Sequence, residues 1–266
     1  MNIVLAHGIL GFRVKFGIEY FRGVAEHLRE KGFKVIAPVV DPTGGIELRS
    51  GQLRDQIAAA LAAGDLDAGE ETHIIAHSMG GLDSRWMLSP ANPDRIRTRI
   101  RSLTTVSTPH LGSPIADLAD TPERLSAFGH LPFGLGGNVL EPALNALGIS
   151  LDGLRNLTTA LCEEFSARCV NEPATAYFSA AGGGRKGFPA TAAVLLLFHQ
   201  YISALTGQPN DGLVTVASAQ WGTFDANTWP ADHADEIGHN IDNLLVPPGF
   251  PYLAKYDQIV SNVAAL

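Results

Sequence analysis

The chain has 266 residues, 45% hydrophobic and 17% charged, with 19 Lys and Arg against 27 Asp and Glu for a net charge of −8. That composition excludes a disordered tail, a coiled coil and a collagen-like fibre. The acidic balance argues against a nucleic-acid partner, which calls for a basic face, and against electrostatic docking on anionic membranes, although an apolar patch could still touch a lipid interface.

Asn2–Ala6 is the first strand candidate, apolar and bounded by His7 and Gly8. Met1 to Ala6 carries no basic n-region, long apolar core or cleavage site, so the expected location is cytoplasmic. Ile18, Phe21, Val24 and Leu28 then recur at helical spacing, with Gly32 where a C′ glycine belongs. Phe33–Pro38 predicts a strand. Ile46–Ala63 predicts a helix with Leu48, Leu53, Ile57, Ala60 and Leu61 inward, stopped by Gly64. Thr72–His77, Leu103–Ser107 and Thr175–Ala180 are further strands, rich in Ile, Val and Thr.

Strands alternating with helices imply an α/β protein whose mostly parallel sheet is covered on both faces, expected as a single domain over residues 1–266. The segment 119–150 differs, being rich in Gly, Pro and Leu, and reads as a cap whose Leu140, Leu144 and Leu147 form an apolar stripe. Cys162 and Cys169 fall in one predicted helix, seven residues and roughly 10 Å apart. That exceeds the span of a disulfide and predicts two buried thiols. The longest apolar stretch, Pro189–Phe198, is half the about twenty residues a membrane span needs. It leads into an apolar helix over Ala192–Leu205. No cofactor is expected.

The sharpest signal is Ile74-Ile75-Ala76-His77-Ser78-Met79-Gly80-Gly81, an apolar strand running into Ser78 and then a helical pattern with Leu82, Trp86 and Met87. A nucleophile elbow needs this strand–turn–helix context and small residues two before and two after the serine. Gly80 satisfies one side, and Ala76 stands where glycine is commoner. A serine at a helix start also serves as an N-cap, so the motif needs partners. The developing oxyanion needs two N–H donors. Met79 supplies one, and Ile9, in the His7-Gly8-Ile9-Leu10-Gly11 loop after the first strand, supplies the other. His7 itself reads as a structural histidine bonding the loop.

On such a scaffold the acid and base follow the serine in that order. Asn210-Asp211-Gly212-Leu213-Val214 places a carboxylate in a turn, and Asp232-His233-Ala234-Asp235-Glu236-Ile237-Gly238-His239 follows. By chemistry alone Asp211 is the acid, while His233 and His239 both compete for the base and His199 lies in an apolar helix.

Together with Ser107-Thr108-Pro109-His110-Leu111-Gly112-Ser113, these motifs resemble, in order and rough spacing over residues 3 to 240, those of the bacterial true lipases of family I, the Pseudomonas and Burkholderia type. The resemblance implies an α/β-hydrolase fold, with a central sheet and a helical lid at 119–150. It implies a serine carboxylester hydrolase: nucleophile Ser78, acid Asp211, base His233, oxyanion donors Ile9 and Met79. Apolar acyl esters are the implied substrates, and an open groove would admit aliphatic polyesters such as polylactide.

Such lipases hold a structural calcium between two aspartates. Asp235 matches the downstream one, but between Glu172 and Asp211 there is no other acidic residue, so no calcium dependence is expected. An amidase or thioesterase on the same scaffold is the alternative, separable by ester, amide and thioester turnover. A non-catalytic lipid-binding module is a further one, separable by labelling with an organophosphonate.

Overall fold

The computed structural model describes residues 1–9, 19–96, 100–120, 154–184, 193–243 and 247–266. Six strands form one sheet: β1 (Asn2–Ala6), β2 (Lys34–Ile36), β3 (Thr72–His77), β4 (Ile100–Val106), β5 (Ala176–Ala180) and β6 (Thr223–Phe224). Their spatial order is β2-β1-β3-β4-β5-β6 and every pairing is parallel. The helices are α1 (Val24–Glu30), α2 (Ile46–Ala63), α3 (Gly80–Leu88), α4 (Pro114–Asp120), α5 (Thr159–Arg168), α6 (Ala193–Thr206), α7 (Val216–Ala219) and α8 (Tyr252–Val263), with a 3-10 turn at Asp235–Ile237. This is the α/β-hydrolase architecture, a parallel sheet between helices.

The period-two alternation of the strands sorts the core into two layers. Ile3, Leu5, Ile75 and Val106 face one side and pack with Val24 and Leu28 of α1 and Tyr256, Ile259 and Val260 of α8. Val4, Ala6, Ile74, Ala76 and Leu103 face the other, against Leu53, Ile57 and Ala60 of α2 and Met87 and Leu88 near the end of α3. Every residue of β1 and β3 is buried, as expected of central strands covered on both faces. Each fully buried Leu, Ile or Val contributes about 1.5–3 kcal/mol relative to an exposed one. Asn2 is buried too, and its amide donates to Asp67 O (2.8 Å) and accepts the Asp67 N–H (2.9 Å), fixing the approach to β3.

Several boundaries differ from the sequence reading. The second strand is only Lys34–Ile36. Helix α1 starts at Val24, after Gly23 takes a left-handed φ of 68°, so Phe21 joins the core from the turn before it. Helix α2 has the expected bounds, and Gly64 ends it with φ 80°. Its inner face, however, runs through Arg49, Leu53, Ile57 and Ala60, whereas Leu48 is 54% exposed. Positions 49, 53, 57 and 60 share a helix face by their spacing of three and four, which leaves 48 off it. Cys162 lies in α5 and Cys169 caps its end rather than extending it; both are buried and free. The cap expected at 119–150 lies, but for the last two residues of α4, outside the described residues.

Candidate active site

Because all six strands run the same way, the loops after β1, β3, β4 and β5 meet at one edge of the sheet. That edge receives His7–Ile9, Ser78, Ser107 and Ala181–Gly182. Ser78 and Ser107 are the two non-glycine residues with positive φ among the described residues, at 56° and 45°. Left-handed backbone at a residue with a Cβ costs about 1–3 kcal/mol and persists only where neighbours impose it. For Ser78 they do. Its N–H donates to Val106 O (3.0 Å), and its carbonyl accepts from Gly81 N–H (3.1 Å) and Thr108 Oγ1 (2.7 Å).

The glycine after the serine is obligatory, since a Cβ at Gly80 would lie 2.4 Å from Ala6 O and 2.8 Å from His7 O. A Cβ at Gly8 would lie 2.6 Å from Ser78 Cβ, so the oxyanion loop rests directly on the serine. Helix α3 starts at Gly80 and aims its positive end at this spot. Among the described residues neither the Ile9 nor the Met79 N–H has an acceptor. Both residues are buried.

The loop is pinned from behind. His7 Nε2 accepts the Val40 N–H (3.0 Å) and Nδ1–H donates to Gly8 O (2.7 Å), which fixes a neutral, structural imidazole. Arg49 donates to His7 O (2.8 Å), to Asp41 O (2.6 Å) and to Asp83 Oδ2 (2.8 Å). Both charged groups of the Arg49–Asp83 pair are buried. Burial pushes the Asp83 carboxyl up to about 6 against the opposing pull of Arg49. Removing the arginine alone leaves a buried carboxylate without its cation. Arg49→Met is therefore expected to lower stability by about 3 kcal/mol, read as a shift in the urea midpoint. Arg49→Met with Asp83→Leu should recover most of that while leaving kcat depressed, because His7 O still lacks its donor.

Asp211 follows Asn210, whose buried amide donates to His199 O (3.3 Å) and Ser203 Oγ (3.0 Å) and so ties the loop to α6. Asp211 Oδ1 accepts the N–H groups of Leu213 (2.9 Å) and Val214 (2.7 Å), while Oδ2 accepts Nδ1–H of His233 (2.7 Å). The His233 N–H donates to Asp211 O (3.0 Å), which locks the two loops together by backbone as well. His233 is 1% exposed, and its other nitrogen, Nε2, has no hydrogen-bond partner among the described residues. The ring lies 4.4 Å, centroid to centroid, from that of His77, the residue before Ser78. Ser78 Oγ does not yet donate to Nε2, as is common before substrate binds. The competing histidines have other employment: His239 Nε2 faces Glu19 O and Tyr20 O (2.9 Å each), and His199 Nδ1 lies 2.9 Å from Asn210 O.

Sequence reasoning missed a buried polar chain beneath these groups. The Tyr20 hydroxyl packs against Gly8, where a Cβ would lie 2.8 Å from it, and shares a hydrogen bond with His77 Nδ1 (2.8 Å). His77 Nε2 lies 3.0 Å from Glu236 Oε2, Ser107 Oγ donates to Glu236 Oε1 (2.7 Å), and Gly182 N–H donates to Ser107 Oγ (3.1 Å). Burial, and then the nearby Asp211 carboxylate, pushes the Glu236 carboxyl well above its usual range. Burial, and then His233, pushes His77 well below its own.

Among the described residues, His77, His233 and Glu236 are the one set of three ligating side chains close enough to share a metal ion. Two imidazoles and one carboxylate do not fit calcium, which takes six to eight oxygens. Asp235, the position matched to a calcium ligand, accepts the N–H of Asp232 (3.3 Å).

No family model matches the chain. It is 34% identical over 225 residues to triacylglycerol lipase 2 of Saccharomyces cerevisiae, an alignment covering 83% of this chain and 62% of that protein. It is 28% identical over 262 residues to a triacylglycerol lipase of Vibrio cholerae, covering 88% and 78% of the two chains. Among solved structures, a metagenomic carboxyl esterase superposes with a TM-score of 0.75 at 20% identity, covering all of this chain and 76% of the other. The chain is similar to triacylglycerol lipases and spans 62%, under two thirds, of the yeast relative's length.

Proposed function

We propose that the protein is a serine carboxylester hydrolase acting on apolar acyl esters through an acyl-enzyme. The observation that carries this reading is the Asp211–His233 hydrogen bond of 2.7 Å, which leaves a buried Nε2, without a partner among the described residues, beside the strained elbow of Ser78. The chain's similarity to triacylglycerol lipases supports the ester as the bond cleaved.

In the proposed reaction Ser78 Oγ attacks the carbonyl carbon as its proton passes to His233 Nε2. The Asp211 carboxylate stabilises the imidazolium that forms. The tetrahedral oxyanion takes the N–H groups of Ile9 and Met79, which have no acceptor among the described residues to give up. His233 then protonates the departing alkoxide, leaving acyl-Ser78, and water attacks that ester with His233 again as base. The acid departs and Ser78 regains its proton.

The apolar residues of 119–150 make medium acyl chains the proposed substrates, with aliphatic polyesters such as polylactide among them. A series of p-nitrophenyl esters should peak at medium length, and clearing of a polylactide emulsion should follow. Turnover confined to the acetate would contradict an acyl site of any depth. No helix among the described residues is long and apolar enough to cross a membrane. Two buried thiols without a disulfide suit a reducing compartment, and a cytoplasmic location is proposed on that ground.

A further inference from the structure

The polar chain under the site joins parts that the reaction needs in register but that share no direct contact among the bonds described above. At one end Gly8 precedes the donor Ile9; at the other Glu236 sits three residues after His233, in the 3-10 turn. We propose that Tyr20, His77 and Glu236 are positioning residues, a buried bridge that fixes the oxyanion loop against the loop carrying the base. This rests on the reading of Ser78, His233 and Ile9 given above.

The geometry leaves the bridge little freedom. Tyr20 is 4% exposed, and His77 and Glu236 are fully buried. A Cβ at Gly182 would lie 2.0 Å from Glu236 Oε1, so the carboxyl is walled in on that side. Glu236 faces His77 from β3, Ser107 from the end of β4, the Gly182 N–H, the Asp211 and Asp232 carboxylates, and Tyr256 of α8. Burial pushes Glu236 up and His77 down, both toward the neutral form, so the contact of Oε2 with Nε2 (3.0 Å) leaves Asp211 as the carboxylate bonded to the base. The bridge transmits position, and no proton needs to travel along it for the reaction to balance.

Tyr20→Phe removes the hydroxyl and keeps the ring. The expected result is a kcat lowered about 10-fold to 100-fold with KM little changed, since only the transition state uses the oxyanion donors. Affinity for an alkylboronic acid, whose tetrahedral adduct on Ser78 needs those same donors, should fall in parallel. Glu236→Ala should lose kcat likewise, and Glu236→Gln should restore most of it, because its amide N–H can donate to His77 while its oxygen accepts from Ser107. Thermal melts identify the folded fraction. A folded Tyr20→Phe with unaltered kcat and boronate affinity overturns the bridge, and so does a Glu236→Gln as inactive as Glu236→Ala. A wild-type protein inert toward p-nitrophenyl esters sinks the hydrolase reading and the bridge with it, so the two failures are told apart.

Discussion

Ser78→Ala is expected to lower kcat on p-nitrophenyl esters by roughly 10⁵–10⁶-fold while the protein folds as before. Among the described residues the hydroxyl makes no hydrogen bond that its loss would orphan, and the backbone that holds the elbow is tied by Val106 O, Gly81 N–H and Thr108 Oγ1 rather than by the side chain. Ser78→Gly extends the test. A glycine tolerates the φ of 56° that serine occupies under strain, so the inactive variant should gain about 1 kcal/mol and melt about 2–4 °C higher. An inactive, more stable enzyme is the signature of a residue whose geometry serves chemistry at the expense of the fold. Retained activity in either variant would remove Ser78 from the mechanism.

Asp211→Asn is the second large effect, and its cause is a tautomer. Oδ1 of Asp211 accepts two backbone N–H groups, from Leu213 and Val214, and Oδ2 accepts Nδ1–H of His233. An asparagine must keep its oxygen toward the two N–H groups, which turns its NH₂ toward the imidazole. His233 then has to present a bare Nδ1 and carry its proton on Nε2, where it can no longer accept one from Ser78. A kcat about 10⁴-fold lower is expected, with the hydrogen bonds of the turn retained and little change in the melting temperature. A loss below tenfold would mean that Asp211 neither sets the tautomer nor stabilises the imidazolium.

Much of the sheet was legible because its central strands are continuous apolar runs. Thr72–His77 and Asn2–Ala6 are bounded by residues that end strands, and the structure reproduces both ranges. The elbow was legible for a different reason: Gly80 and Ala76 are the small residues a tight strand-to-helix turn demands. The polar interior was hidden. Arg49 breaks the apolar stripe of α2 from inside, so periodicity placed Leu48 in the core, and only the pairing of Arg49 with Asp83, 34 positions away, explains why the arginine lies there. Tyr20, His77 and Glu236 are spread over 216 positions and become neighbours only when parallel strands bring their ends to one edge. The available clue was positional: residues at and just past the carboxyl ends of strands in an open α/β sheet line the site, and His77 ends β3 while Ser107 follows β4. The base needed more than chemistry as well. His233 and His239 compete by chemistry alone, the motif resemblance pointed to His233, and the structure rests Nε2 of His239 on backbone carbonyls.

The two borders of the sheet are its shortest strands, three residues in β2 and two in β6. Each offers only a handful of unpaired amides and carbonyls, too few for another polypeptide to zip onto. Where copies of a protein crowd together, long bare margins seed aggregates; margins clipped this short offer little for such pairing.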